Sequence, residues 1–246
     1  MSEHEASAAY PWHFHVLHAL ERLNARCSLQ APAAVYDSAL FAWAASLEAN
    51  WMQVRADLRH VQAQREPVPS FQDISPEAAA LTTDDRWKTY MLYAYGARAD
   101  RNCRQCPATA ALCQAIPGMK TAFFSILAPR KHIPPHRGPY NGLLRAHLGL
   151  VVPERGDCRM RVGDQIVRWR EGEVLVFDDS VEHEVWNDSD EERVVLFLDV
   201  ARPMRAPVSW LNEALIRFVA ASPYGRRIVR RFNTWYERHG IDAGAR

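Results

Sequence analysis

The chain has 246 residues, 48% hydrophobic and 24% charged, which suits one large globular domain and excludes a disordered chain. With 30 basic and 29 acidic residues the formal net charge is +1, so global charge gives no case for nucleic-acid binding. The apolar runs, such as 121–129 and 194–198, are far too short to span a bilayer, and Met1–Tyr10 carries Glu3 and Glu5 where a signal segment would be basic and then apolar, so a cytoplasmic protein is expected.

Residues 1–66 read as a helical segment. Leu17, Leu20 and Leu23 recur at three-residue spacing. Over Tyr36–Val61, Leu40, Trp43, Leu47, Trp51, Val54 and Leu58 form one apolar stripe of an amphipathic helix that Asp37 or Ser38 could cap. His13, His15 and His18 have helix-like spacing and read as a solvated face. Glu66-Pro67-Val68-Pro69-Ser70 ends the pattern. Residues 67–118 read as a mixed connecting region, with Trp87–Tyr95 an aromatic strand and Pro107–Ile116 a short helix stopped by Pro117-Gly118. Cys103-x-x-Cys106, with Cys113 seven residues on, is the only metal-like cysteine spacing. A structural zinc wants four ligands and the chain has no second such pair, so a tight turn with small buried thiols is the plain reading.

Residues 119–205 change texture. Short apolar runs at 121–127, 143–152, 158–162, 165–169, 174–177, 184–186 and 193–200 alternate with turn residues, the pattern of an antiparallel barrel or sandwich on which 67–118 would pack. Val162-Gly163-Asp164-Gln165 reads as a hairpin turn. Residues 206–246 return to helix and include the basic run 225–232. A solvated helix face is its plain reading, and peripheral contact with an anionic membrane surface is the alternative.

Side chains alternate along Leu143–Val151, so Arg145, His147 and Gly149 share one face of an otherwise apolar strand. A wall meant only for packing would not choose that set; a lined cavity would. His183 comes later, in a turn that re-enters the sheet, and neutral imidazole is a good ligand for divalent metals. Arg193 opens a strand in which Val195, Phe197 and Asp199 share its face. A buried guanidinium needs a carboxylate partner, either a cofactor or Asp178, Asp179 or Asp199. Asp178 and Asp179 themselves read as turn caps or as acceptors that orient His183.

The ordered motifs are Pro135-His136-Arg137-Gly138-Pro139, Leu144-Arg145-Ala146-His147-Leu148-Gly149-Leu150, Trp169-x-Glu171-Gly172, 177–186 (FDDSVEHEVW), Arg193, and Asp199-Val200-x-Arg202-Pro203. Together they resemble the aspartyl/asparaginyl β-hydroxylase family of iron(II)- and 2-oxoglutarate-dependent dioxygenases, strongly over about a third of the chain and weakly back to Trp87. The resemblance implies an α+β protein built on a double-stranded β-helix, a jelly-roll or cupin-like core with flanking N- and C-terminal helices. It implies that His147 and His183 hold the metal and that Arg193 grips the distal carboxylate of 2-oxoglutarate. Arg145 and, on a neighbouring strand, Arg161 and Arg159 are further candidates for carboxylate binding. His136 and Arg137 would lip the pocket from a Pro- and Gly-rich loop, and Tyr93 and Tyr95 match a substrate-contacting stretch loosely.

Most 2-oxoglutarate oxygenases carry an Asp or Glu two residues after the first histidine. Gly149 stands there, and the family resembled likewise tolerates glycine. The implied reaction couples decarboxylation of 2-oxoglutarate by molecular oxygen to hydroxylation of a substrate. That substrate is a peptide, amino acid or small molecule, or alternatively a lipid or other amphiphile, since a lipid A hydroxylase is similar to this family too. A barrel that binds a ligand without turnover is the reading from another class. Two departures, Arg130 where relatives tend to have glycine and Ala201 where they often have an aromatic, fall outside the metal and cofactor positions.

Overall fold

The computed structural model describes residues 12–240, without the side chains of 12–17 and 76–77, so His13 and His15 lie outside the described side chains. In chain order the elements are α1 (Trp12–Cys27), β1 (Val35–Tyr36), α2 (Ala42–Ala49), α3 (Trp51–Ala63), α4 (Phe71–Ile74), β2 (Trp87–Ala94), β3 (Ala97–Arg98), α5 (Asp100–Gln105) and α6 (Pro107–Ala115). After these come β4 (Met119–Leu127), β5 (Lys131–His136), β6 (Leu143–Val151), β7 (Asp157–Val162), β8 (Gln165–Val167), β9 (Val174–Phe177), β10 (His183–Asp188), β11 (Arg193–Ala201), α7 (Val208–Ala221) and α8 (Pro223–Arg238).

Two antiparallel sheets face each other. The larger has the order β1-β9-β6-β11-β4-β2-β3 and the smaller β5-β10-β7-β8. Their inner faces interdigitate through Leu127, Phe177 and Val195 from one sheet and Ile133, Met160, Val162 and Val185 from the other. This is the α+β double-stranded β-helix expected. The outer face of the larger sheet, with Ala146, Leu148, Leu150, Leu196 and Leu198, buries against Val54 and Leu58 of α3 and Phe232 of α8. Strands β6 and β11 sit at its centre and are apolar on that side, which is why they read as long hydrophobic runs.

The structure corrects three expectations. The stripe over Tyr36–Val61 is not one helix: β1 and a 3-10 turn capped by Asp37 precede α2, and Asn50 (φ −112°, ψ 12°) breaks α2 from α3. The barrel does not begin at residue 119, because β1 pairs with β9 and β2 pairs with β4. His136, expected on a loop, instead ends the strand Lys131–His136. That strand carries Pro134 and Pro135 yet pairs only with β10, and an edge strand tolerates a missing N–H.

Arg130 takes φ 55°, the left-handed conformation that explains why glycine suits that position. Its guanidinium compensates by holding Asp190 at 2.8 Å. The three cysteines 103, 106 and 113 are buried free thiols, and the Cys103 thiol donates to the Leu92 carbonyl.

Candidate active site

Between the sheets lies a small cavity of about 30 Å³ lined by His136, Arg145, His147, His183 and Arg193 among apolar side chains. Strand pairing places these groups. Phe197 of β11 stands beside His147 of β6, and Asp199 beside Arg145. His183 opens β10 directly opposite His136, the last residue of β5.

The His136 and His183 rings are 4.1 Å apart, centroid to centroid. Nδ1 of His136 lies 2.8 Å from the Pro134 carbonyl, and Nδ1 of His183 lies 2.9 Å from the Val181 carbonyl. These bonds assign the proton to Nδ1 and leave each Nε2 as a free lone pair, the support typical of metal-binding imidazole. Burial, then His136 and Arg145, pushes the His183 pKa down to about 3, and burial likewise lowers that of His136. Asp179 Oδ1 is 3.4 Å from His183 Nε2. With His183 neutral, that contact sets its Nε2 lone pair beside a carboxylate oxygen that the Arg145 guanidinium already holds.

His147 lies deeper. Its Nδ1 accepts the Trp169 Nε1–H at 3.2 Å, and its Nε2 is buried with no partner. Burial, then the charges of Arg193, Arg145 and His183, holds this imidazole neutral. The Phe177 ring stands edge-on to both His147 and His183, at 5.2 Å and 5.4 Å. One cavity therefore holds three neutral imidazoles, His147 on the side of Arg193 and His136 toward the mouth. The sequence pairing of His147 with His183 gains His136 as a close neighbour.

Arg193 is 2% exposed and stacks over Trp169 at 4.7 Å. Its Nε and Nη1 have no hydrogen-bond partner, and it forms no ion pair with any described residue; the Cys158 sulfur is a weak acceptor beside it. The carboxylates expected as alternatives are taken, Asp179 and Asp199 by Arg145 and Asp178 by Arg202 at 2.5 Å. Burial lowers the Arg193 pKa to about 10, so it stays cationic at neutral pH. An unpaired buried cation costs several kcal/mol, and an anion entering the cavity would relieve that cost. Ser125 also lines the cavity. Its Oγ accepts from Trp87 Nε1 at 3.0 Å, which leaves its own hydrogen free to donate. Sequence reasoning missed Ser125 and Trp87, although Ser125 shares the inward phase of Thr121, Phe123 and Leu127 in an otherwise apolar strand.

Arg145 lies over the Phe197 ring at 4.3 Å, with Nε 2.9 Å from Asp199 and Nη1 on Asp179. Burial raises the pKa of both carboxylates above the ordinary range. The Arg145 charge is thus internally balanced, and the Arg193 charge is not.

Four expected residues point elsewhere. Arg161 sits on the outer face of β7, bonded to Glu182 at 3.2 Å and Glu184 at 3.1 Å, because Met160 and Val162 take the inward phase. Arg159 shares that outer face and holds Asp188. Tyr93 reaches the Ala110 carbonyl of α6, since a bulge between Met91 and Tyr93 turns it to the helix side. Tyr95 packs on Tyr224 beyond the sheet edge. Arg137 is exposed beside His136, at the mouth of the cavity.

Among the described residues no three His, Cys, Asp or Glu side chains converge to hold a metal. Glycine explains the missing carboxylate ligand. A Cβ on Gly149 would overlap the Arg170 carbonyl oxygen and meet its carbon at 2.8 Å, so the turn 170–173 closes that face. Gly149→Asp is accordingly expected to destabilise the protein by about 3 kcal/mol through overpacking, without tightening metal binding. Urea unfolding and metal titration check both halves.

A family model described as aspartyl/asparaginyl beta-hydroxylase matches residues 48–203. The chain is 42% identical over 226 residues to a protein of Rhizobium tropici named ornithine lipid ester-linked acyl 2-hydroxylase, covering 92% of this chain and 80% of that one. It is 36% identical over 167 residues to the human aspartyl/asparaginyl beta-hydroxylase, covering 66% of this chain but only 21% of that protein. Among solved structures, a prolyl-4-hydroxylase of Pseudomonas putida superposes with TM-score 0.41 at 19% identity, over 76% of this chain and 98% of that one.

Proposed function

The chain belongs to the aspartyl/asparaginyl β-hydroxylase family, and we propose that it is an iron(II)- and 2-oxoglutarate-dependent hydroxylase acting on an acyl chain of an amino-acid-bearing lipid. The observation that carries the cofactor reading is the buried Arg193 guanidinium, whose Nε and Nη1 have no partner, in one cavity with the unpartnered His147 Nε2. Arg193 and Ser125 line the same cavity, and their donors would meet one carboxylate there. His147 and His183 would hold the metal through Nε2. Arg193 bears on His147, together with Arg145 and His183, but not on His136, on which Arg145 and Asp179 bear. His147 is therefore the imidazole placed to reach a metal that the Arg193-bound diacid also reaches.

When bound, iron and 2-oxoglutarate supply the activation of molecular oxygen that inserts a hydroxyl into an unactivated C–H bond. The protein's own residues bind and orient. Arg193 fixes the diacid by a charge-assisted fork, and the Trp169 ring holds that fork in plane. The Val181 carbonyl locks His183 in the ligating tautomer. Asp179, tied to Arg145, places a carboxylate beside His183 where Gly149 offers none. Ile133, Met160, Val185 and Phe177 keep water from the cavity.

The lipid reading rests on the relative named as a lipid acyl hydroxylase, because that similarity covers nearly all of this chain, flanking helices as well as barrel. Incubation with iron(II), 2-oxoglutarate and either ornithine lipid or acidic peptides is expected to give succinate and a gain of one oxygen with the lipid alone. Oxygen gain on the peptides only would overturn the substrate assignment. Oxygen gain that needs neither iron nor 2-oxoglutarate would overturn the cofactor assignment.

A further inference from the structure

Helix α7 is apolar on the wrong side. Its buried face carries Val208, Asn212 and Ile216. Its solvent face carries Trp210, Leu211, Ala214, Phe218 and Ala221, which recur at helical spacing. Trp210 and Phe218 are 71% and 73% exposed, and Leu211 57%. Large aromatics scattered singly need no explanation, but a contiguous row along one helix marks an interaction surface.

Helix α7 is tied to the segment that leaves His136 of the cavity. Asn212 of α7 donates to the Gly142 carbonyl at 2.9 Å and accepts from the Tyr140 hydroxyl at 2.8 Å. Asn24 of α1 clamps the same hydroxyl at 2.8 Å. These bonds tie α7 to the segment 137–142, which joins His136 to the start of β6.

Charge identifies the occupant. Residues 204–238 carry seven arginines against two acids, Glu213 and Glu237, in a chain whose net charge is only +1. Glu213 is already held by Lys120 at 2.8 Å and by Arg217. Arg205, Arg217, Arg226, Arg227 and Arg230 are exposed on α7, α8 and the segment entering them. A second copy of the chain would set these arginines against their own kind. An anionic bilayer offers apolar depth for the row and negative charge for these arginines. We propose that the solvent face of α7 docks the protein on an anionic membrane surface, which sets the cavity mouth at the level of the lipid. The purpose of such docking rests on the lipid reading above; the docking itself does not.

The test is co-sedimentation of the full chain with vesicles of phosphatidylcholine alone or mixed with phosphatidylglycerol. The protein is expected to bind the mixed vesicles, and salt should weaken that binding by screening. A Trp210→Ser/Phe218→Ser variant is expected to lose about tenfold or more in partitioning, because two apolar side chains no longer enter the interface. Its thermal midpoint should not fall, since both positions are exposed. Equal binding by parent and variant, or no preference for the anionic vesicles, would overturn the proposal. So would a parent dimer that the variant dissociates, since a second copy would then be the occupant. Vesicle binding without lipid hydroxylation would keep the docking surface and remove the lipid substrate. Hydroxylation of detergent-dispersed lipid by protein that ignores vesicles would do the reverse.

Discussion

Arg193→Met is expected to raise the 2-oxoglutarate concentration needed for half-maximal turnover at least about a hundredfold, a loss of about 3 kcal/mol of the kind caused by removing one partner of a buried charge pair. The same change should leave the protein as stable as the parent or more so. In the cofactor-free protein Arg193 is a buried cation with two unpartnered nitrogens, stacked on Trp169 with no carboxylate to answer it. Methionine of similar length removes that burden and keeps the packing. A structural arginine would behave oppositely, since removing a satisfied ion pair costs stability and leaves the cofactor requirement alone. Titration of 2-oxoglutarate by succinate release, set beside urea unfolding of the cofactor-free protein, reads both signs. Unchanged cofactor dependence with a lowered unfolding midpoint would defeat the assignment.

The sequence disclosed the parts of this site that obey a period of two. Arg145, His147 and Gly149 on β6, and Arg193, Phe197 and Asp199 on β11, all fall on the inward phase that alternation predicts, because both strands are central in the sheet. Alternation misleads where a strand is irregular. The bulge after Met91 reverses the phase of β2, so Tyr93 faces α6 and not the cavity, and nothing in the local sequence marks that bulge. Arg161 was legible in principle, since Cys158, Met160 and Val162 claim the inner phase of β7 and leave the arginines outside. Strand β5 was hidden by its two prolines, which are tolerable only because the strand is at an edge, and edge position is a property of the whole sheet. With His136 placed on a loop, the register that sets it directly opposite His183 could not be seen.

Three imidazoles in one cavity make the metal pair the second large effect. His147→Ala and His183→Ala are each expected to weaken metal binding by at least about a hundredfold, because loss of merely supporting partners already costs ten- to a hundredfold. His136→Ala is expected to cost about tenfold or less, the effect of a neighbour rather than a ligand. His183 is ready to ligate, since the Val181 carbonyl draws its proton to Nδ1 and frees Nε2. His147 must first change tautomer, because the Trp169 N–H holds Nδ1 and leaves the proton on Nε2. That bond is neutral and 3.2 Å long, so giving it up costs about 1 kcal/mol. A hundredfold ligand effect is worth about 2.7 kcal/mol, so coordination outweighs the lost hydrogen bond. Trp169→Phe removes that N–H while keeping a ring under Arg193, and it is expected to tighten metal binding about fivefold. Calorimetric titration with manganese, a redox-silent stand-in for iron, in the presence of 2-oxoglutarate separates the four variants without turnover. Intact metal binding in His147→Ala beside its loss in His136→Ala would transfer the ligand role to His136, whose ring already stands 4.1 Å from that of His183.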